Sequence, residues 1–128
     1  MSPQRVRALC VGLAAVSVLA ILLATLTPNL GEVVTPGRFA LWSGHFLLFA
    51  ALGVTIGLAY MTTRRSRLWL VQLVLLVAMF AAADELAQGL VDGRIVELRD
   101  WVADAVGGGV GIALGSWAGR YLMPRRVA

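Results

Sequence analysis

Four long apolar stretches separated by short polar segments dominate the chain. Two of them, 8–26 and 39–61, are each long enough to cross a bilayer as a helix, which requires about 20 mostly apolar residues. The other two, 68–83 and 105–119, reach that length only if the helices take in neighbouring acidic residues. The pattern predicts an all-α integral membrane four-helix bundle that forms a single domain over residues 1–128. The expected helices cover approximately 6–27, 39–61, 68–90 and 101–123.

The distribution of arginine predicts the orientation, because cytoplasmic loops of membrane proteins carry an excess of basic residues. Eight arginines fall on one side of the predicted helices: Arg5, Arg7, Arg64, Arg65, Arg67, Arg120, Arg125 and Arg126. The other side has only Arg38, Arg94 and Arg99, and it carries or adjoins every acidic residue, from Glu32 to Asp104. We therefore expect a multi-pass membrane protein with both termini in the cytoplasm.

Composition supports a bilayer environment and excludes other classes. Hydrophobic residues make up 59% of the chain and charged residues 14%, with a mean hydropathy of +0.83, outside the usual range for soluble domains. The net charge of +4 does not indicate a nucleic-acid partner, since every basic residue is an arginine and most flank apolar runs. Cys10 is the only cysteine, so no intrachain disulfide forms. We expect no cofactor and no metal.

Glycine spacing predicts how two of the helices pack. Small residues at every fourth position allow membrane helices to approach closely. Dispersion forces between the close backbones then hold the helices together, because lipid provides no hydrophobic force between them. The fourth predicted helix has such a stripe, and the second repeats the spacing once. The residues are Gly107, Gly111, Gly115 and Gly119 in the fourth helix and Gly53 and Gly57 in the second. We expect these glycines to pack within one chain.

Polar residues gather where three predicted helices end on the extracytoplasmic side. The cluster consists of His45, Asp84, Glu85, Gln88, Arg94, Asp100 and Asp104. Spacings of three and four place the members from one helix on a common face. Carboxylates this close to hydrocarbon must pair, protonate or reach water. We expect Arg94 to be the counter-ion of Glu85 or Asp100, since its planar guanidinium holds a carboxylate bidentately.

These residues resemble the VanZ-like family of small bacterial membrane proteins over roughly residues 27–115. The matching pattern is Gly44-His45-Phe46, Glu85-x-x-Gln88, Gly93-Arg94, Asp100-x-x-x-Asp104 and Gly107-x-x-x-Gly111. The chain departs from the family in having Leu41-Trp42 where Asp-Lys is frequent, and Asp104 where asparagine is usual. The resemblance implies a place in the bacterial cytoplasmic membrane. It also implies a role in the cell envelope, because the namesake is associated with low-level resistance to the glycopeptide antibiotic teicoplanin.

Three interpretations of the cluster remain open at the level of sequence. The cluster is a polar network that fixes the helices, or it binds a lipid, a lipid-linked cell-wall precursor or a glycopeptide-related ligand. The third interpretation is an enzyme in which His45 and the carboxylates act on a lipid phosphate or ester. No nucleophile motif supports the enzyme, so catalysis is the less favoured reading. Membrane lipids are the expected partners, and the sequence leaves the oligomeric state open.

Overall fold

The described part of the chain folds into four long helices. The computed structural model describes residues 2–28, 38–63, 66–92 and 94–122, and this part contains no strand. The helices are α1 (Pro3–Leu26), α2 (Arg38–Met61), α3 (Arg67–Gln88) and α4 (Leu98–Leu122). The predicted all-α fold is confirmed. Several residues used in the sequence argument lie outside the described part: Glu32, Arg64, Arg65, Gly93, Arg125 and Arg126, and the side chains of Arg38, Leu41 and Trp42.

Local sequence signals set the two ends of α1. Ser2 occupies the N-cap, and its hydroxyl accepts a hydrogen bond from the backbone N–H of Arg5 at 3.4 Å, while Pro3 stands in the first turn. The helix stops at Leu26 because Thr27 precedes Pro28 and adopts an extended conformation, with φ of −85° and ψ of 122°. A residue before proline disfavours the helical region.

Three of the four helices, α1, α2 and α3, are long and apolar enough to cross a membrane. The helix α4 does not reach that hydropathy, since it is rich in glycine and carries charged residues near both ends. It nevertheless runs alongside α2: Gly107 lies against Phe46 and Gly115 lies against Val54. Packing against a membrane-length helix, and not its own hydropathy, therefore places α4 in the bundle.

Large apolar side chains cover the outside of the bundle. Val16 on α1, Leu75 on α3 and Leu114 on α4 are each more than half exposed. In water, a contiguous apolar surface of this kind would drive association. In a lipid bilayer such an apolar surface contacts acyl chains. The exposed apolar side chains are therefore those expected of a membrane protein.

The largest helix interface joins α2 to α4, which run parallel, and glycines form its contact line. A Cβ atom at Gly107, Gly111 or Gly115 would overlap a backbone carbonyl oxygen of α2. A Cβ atom at Gly53 or Gly57 would overlap backbone atoms of α4. Gly119, the last of the four glycines in the α4 stripe, is buried as well. The glycines thus allow backbone-to-backbone contact inside one chain.

A small apolar core holds the remaining helices against this pair. Phe49 on α2 is fully buried, and its ring centroid lies 5.6 Å from that of Phe80 on α3. Ile21 on α1 and Ile112 on α4 belong to the same cluster of buried side chains. With α1 parallel to α3 and α2 parallel to α4, the C-terminal ends of α1 and α3 meet the N-terminal ends of α2 and α4. We call this the polar end of the bundle.

Candidate functional site

The polar end buries a group of ionisable and amide side chains. His45, Asp84, Glu85 and Gln88 are each at most 8% exposed, and Asp104 is fully buried. Arg94 and Asp100 are half-buried. The fold thus brings the seven residues of the predicted cluster to the same end of the bundle. What the arrangement can do depends on which of them pair.

His45 and Asp104 form a buried pair between α2 and α4. The imidazole Nδ1 lies 3.1 Å from one carboxylate oxygen of Asp104 and 3.2 Å from the other. A carboxylate only accepts hydrogen bonds, so Nδ1 carries the proton whenever Asp104 is ionised. Among the described residues this is the one ion-pair contact. It adds a polar contact to the glycine interface of the same two helices.

The acids on α3 are held by hydrogen bonds from three directions. The Gln88 amide donates to Asp84 Oδ2 at 3.2 Å and to Glu85 Oε2 at 3.3 Å. The other Glu85 oxygen, Oε1, accepts from the backbone N–H of Glu97 at 2.6 Å. That bond ties the segment before α4 to the end of α3. Thr25 on α1 bonds Asp84 Oδ1 at 2.9 Å.

Arg94 forms no ion pair with an acid of the described residues. Within this part of the chain its guanidinium makes one hydrogen bond, from Nη2 to the Ala24 carbonyl oxygen at 3.4 Å, and no carboxylate there lies within ion-pair distance. The sequence favours Glu85 or Asp100 as its partner. Instead, Glu85 is bound by Gln88 and the Glu97 backbone, and the buried Oδ1 of Asp100 has no hydrogen-bond partner among the described residues. Arg94 therefore retains donor groups beside the cluster.

Sequence reasoning missed the contribution of α1. Thr25 is 3% exposed and contacts Asp84, while the Ala24 carbonyl receives Arg94. One signal was present: Thr25 and Thr27 end the otherwise apolar run of α1, at the same membrane depth as the acids that end α3. The Glu97 backbone N–H was also missed, and no residue pattern indicates such a contact.

A shallow apolar groove of about 590 Å³ lies beside the polar end, between α2 and the first turns of α4. Its lining residues are Phe46, Leu98, Arg99, Val102, Ala103 and Val106. Phe46 follows His45 directly, and Arg99 contributes a charge to an otherwise apolar surface. No group of three or more His, Cys, Asp and Glu side chains in the described part of the chain is arranged to hold a metal ion.

These features define a class: a small helical protein with apolar outer faces and a buried cluster of acids and histidine at one end of its bundle. A model of the VanZ/LLP1 family matches residues 12–119, which is most of the chain. The chain belongs to the VanZ family. No curated protein and no solved structure gives a significant match.

Proposed function

We propose that this VanZ-family protein modulates the cell envelope by binding an anionic amphiphile, a lipid or a lipid-linked cell-wall precursor, at the polar end of the bundle. The observation that carries the proposal is the state of Arg94. It is half-buried beside the acid cluster, yet among the described residues its one hydrogen bond goes to the Ala24 carbonyl and none goes to an acid.

The chemistry of guanidinium favours an anionic group as the partner of Arg94. Guanidinium has five N–H donors in a fixed plane, and the bond to Ala24 uses one of them. The remaining donors match the geometry of phosphate and carboxylate, which they bind bidentately. An arginine near the membrane surface also attracts anionic lipid headgroups. Arg94 is thus the residue that recognises the headgroup.

The apolar groove between α2 and α4 provides a place for an acyl chain. Its lining is almost entirely aliphatic and aromatic, and Arg99 adds positive charge. A ligand with a phosphate and a hydrocarbon chain would both bond Arg94 and fill the groove. A soluble anion would bond Arg94 and leave the groove empty, so we propose an amphiphile.

Orientation is part of the proposal, because an envelope precursor is reached from outside. The excess of arginine at the opposite end supports an extracytoplasmic polar end. Reporter fusions after Arg38 and within 91–99 are expected to report an external location, and fusions after Met61 and Ala128 a cytoplasmic one. A cytoplasmic signal from the fusion within 91–99 would contradict the extracytoplasmic site.

Binding can be measured directly by native mass spectrometry of the purified protein with phosphatidylglycerol or zwitterionic phosphatidylcholine. Wild type is expected to retain phosphatidylglycerol preferentially, and Arg94→Ala to lose that preference. Arg120→Ala removes an exposed arginine from the other end of the bundle and serves as the matched control. Equal retention by wild type and Arg94→Ala would contradict the proposal.

A second candidate, an enzyme acting on a lipid phosphate or ester, is favoured by the His45–Asp104 pair. Asp104 holds Nδ1 of the imidazole, which is the arrangement that orients a histidine as a general base through its other nitrogen. Such an enzyme would release a product from the bound lipid over time, and His45→Gln would retain binding without turnover. A bound lipid recovered unchanged from wild type supports the binding protein instead.

A further inference from the structure

A buried threonine on α1, Thr25, makes two hydrogen bonds, and one of them joins α1 to α3. Thr25 Oγ1 lies 2.9 Å from the Ile21 carbonyl oxygen, one turn earlier in α1, and 2.9 Å from Asp84 Oδ1. Both distances suit an O–H···O hydrogen bond. Both groups are buried, Thr25 at 3% exposure and Asp84 at 2%. Water therefore does not supply the proton that one of these bonds needs.

A hydroxyl group has one proton to donate, although it can accept two hydrogen bonds. A carbonyl oxygen can only accept, so the bond between Thr25 and Ile21 uses the hydroxyl proton. This back-bond to the carbonyl four residues earlier is common for threonine in helices. An ionised Asp84 would have to share that one proton with Ile21, whereas a neutral carboxylic acid at Asp84 donates a proton of its own to Thr25 Oγ1 and completes both bonds. Only a protonated aspartic acid has a proton to donate.

The second oxygen of Asp84 agrees with this assignment. Oδ2 accepts from the Gln88 amide at 3.2 Å, which is the role of the carbonyl oxygen of a neutral acid, whereas Oδ1 is the hydroxyl oxygen that faces Thr25. In the series of hydrogen bonds from Gln88 through Asp84 and Thr25 to Ile21, each bond then has one donor and one acceptor.

The charged groups around Asp84 also favour its neutral form, because none of the described cations pairs with it. The ionisable groups that face it are His45 on α2, Asp104 on α4, Arg94 on the connecting segment and Glu85 on its own helix. His45 is bound to Asp104, and Arg94 makes no contact with Asp84. The described part of α1 has its ionisable residues, Arg5, Arg7 and Cys10, at the opposite end of the helix.

We infer that Asp84 is a buried proton-binding site, and that its bound proton makes the hydrogen bond that joins α1 to α3. Loss of the proton would place a negative charge against the end of α1 in apolar surroundings, which is costly inside a membrane protein. The same end of α1 holds Arg94 through Ala24. Proton occupancy is thereby coupled to the attachment of α1 and to the position of Arg94.

Infrared spectroscopy of the purified protein tests the protonation state, because a neutral carboxyl group has a carbonyl band distinct from that of a carboxylate. At about pH 7, wild type is expected to show a neutral carboxyl band that Asp84→Asn lacks. Thr25→Val is expected to keep the band at a higher frequency, since the hydrogen bond to Oγ1 is lost. Ser17→Ala is the control, because Ser17 makes the same back-bond on α1, to Leu13 at 2.9 Å, away from any acid.

Spectra of wild type and Asp84→Asn that coincide in this region would show an ionised Asp84 and overturn the inference. A wild-type band that Thr25→Val leaves unshifted would overturn it too, and this variant keeps the test decisive if Asp84→Asn does not fold.

Discussion

Gly111→Ala is expected to destabilise the bundle by about 3 kcal/mol, near the upper end of the cost of overpacking a core. A Cβ atom at Gly111 would overlap the carbonyl oxygen of Ala50 and press on its other backbone atoms. Backbone atoms of a helix cannot rotate away as the end of a side chain can. The α2–α4 interface must therefore separate, and it is the largest one in the bundle.

The same helix offers a matched control for this substitution. Gly109 is two residues away, and a Cβ atom there would meet only Val74 Cγ1 at 4.0 Å, an ordinary contact. Gly109→Ala is expected to be neutral or to stabilise the helix by up to about 1 kcal/mol, because alanine has the higher helix propensity. The free energy of unfolding in detergent or lipid measures both variants. Equal losses for the two would mean that the glycine line of α4 does not pack against α2.

His45→Ala is expected to cost about 3–5 kcal/mol, the range for breaking a buried ion pair by removing one partner. The carboxyl group of Asp104 is fully buried, and His45 is the one residue of the described chain that bonds it. Removal of the imidazole leaves an uncompensated acid between α2 and α4. The loss is therefore expected to appear in stability even without a ligand.

A double-mutant cycle isolates the pair from the other effects of truncation. Asp104→Asn removes the charge, so the double variant His45→Ala with Asp104→Asn is expected to recover part of the stability lost by His45→Ala alone. A coupling energy within error of zero would contradict the buried pair. Gln88→Ala tests whether the effect is specific, since Gln88 bonds Asp84 and Glu85 and does not contact Asp104.

The sequence predicts the helices and the glycine contacts well, because both depend on the spacing of residues that are close together in the chain. An apolar run of membrane length has few alternatives to a helix, since lipid offers no partner for its backbone groups. The repeat from Gly107 to Gly119 marks one face of α4, and the structure turns that face toward α2. Depth in the membrane also brings His45 and Asp104 to the same level, although 59 residues separate them.

Pairing inside the polar end was harder to predict, because it depends on how the helices are rotated and on backbone atoms. The short sequence distance from Arg94 to Glu85 and Asp100 favoured an ion pair, but the guanidinium lies against Ala24 of α1, 70 residues away. A carbonyl acceptor has no signature in the sequence. Thr25 was overlooked for a related reason: a threonine at a helix end is usually satisfied by its own backbone, and here it is shared with Asp84.

Thermal unfolding of wild type and Arg94→Gln, with and without added phosphatidylglycerol, tests the proposed binding role of Arg94 most directly. Without the lipid, the two proteins are expected to unfold at nearly the same temperature, because Arg94 forms no ion pair with an acid of the described residues. With the lipid, the unfolding temperature of wild type should rise with concentration, by the equivalent of about 2.7 kcal/mol at a hundredfold excess over Kd, while Arg94→Gln should not respond. A large loss of stability in Arg94→Gln without lipid, together with equal stabilisation of both proteins by lipid, would contradict the account.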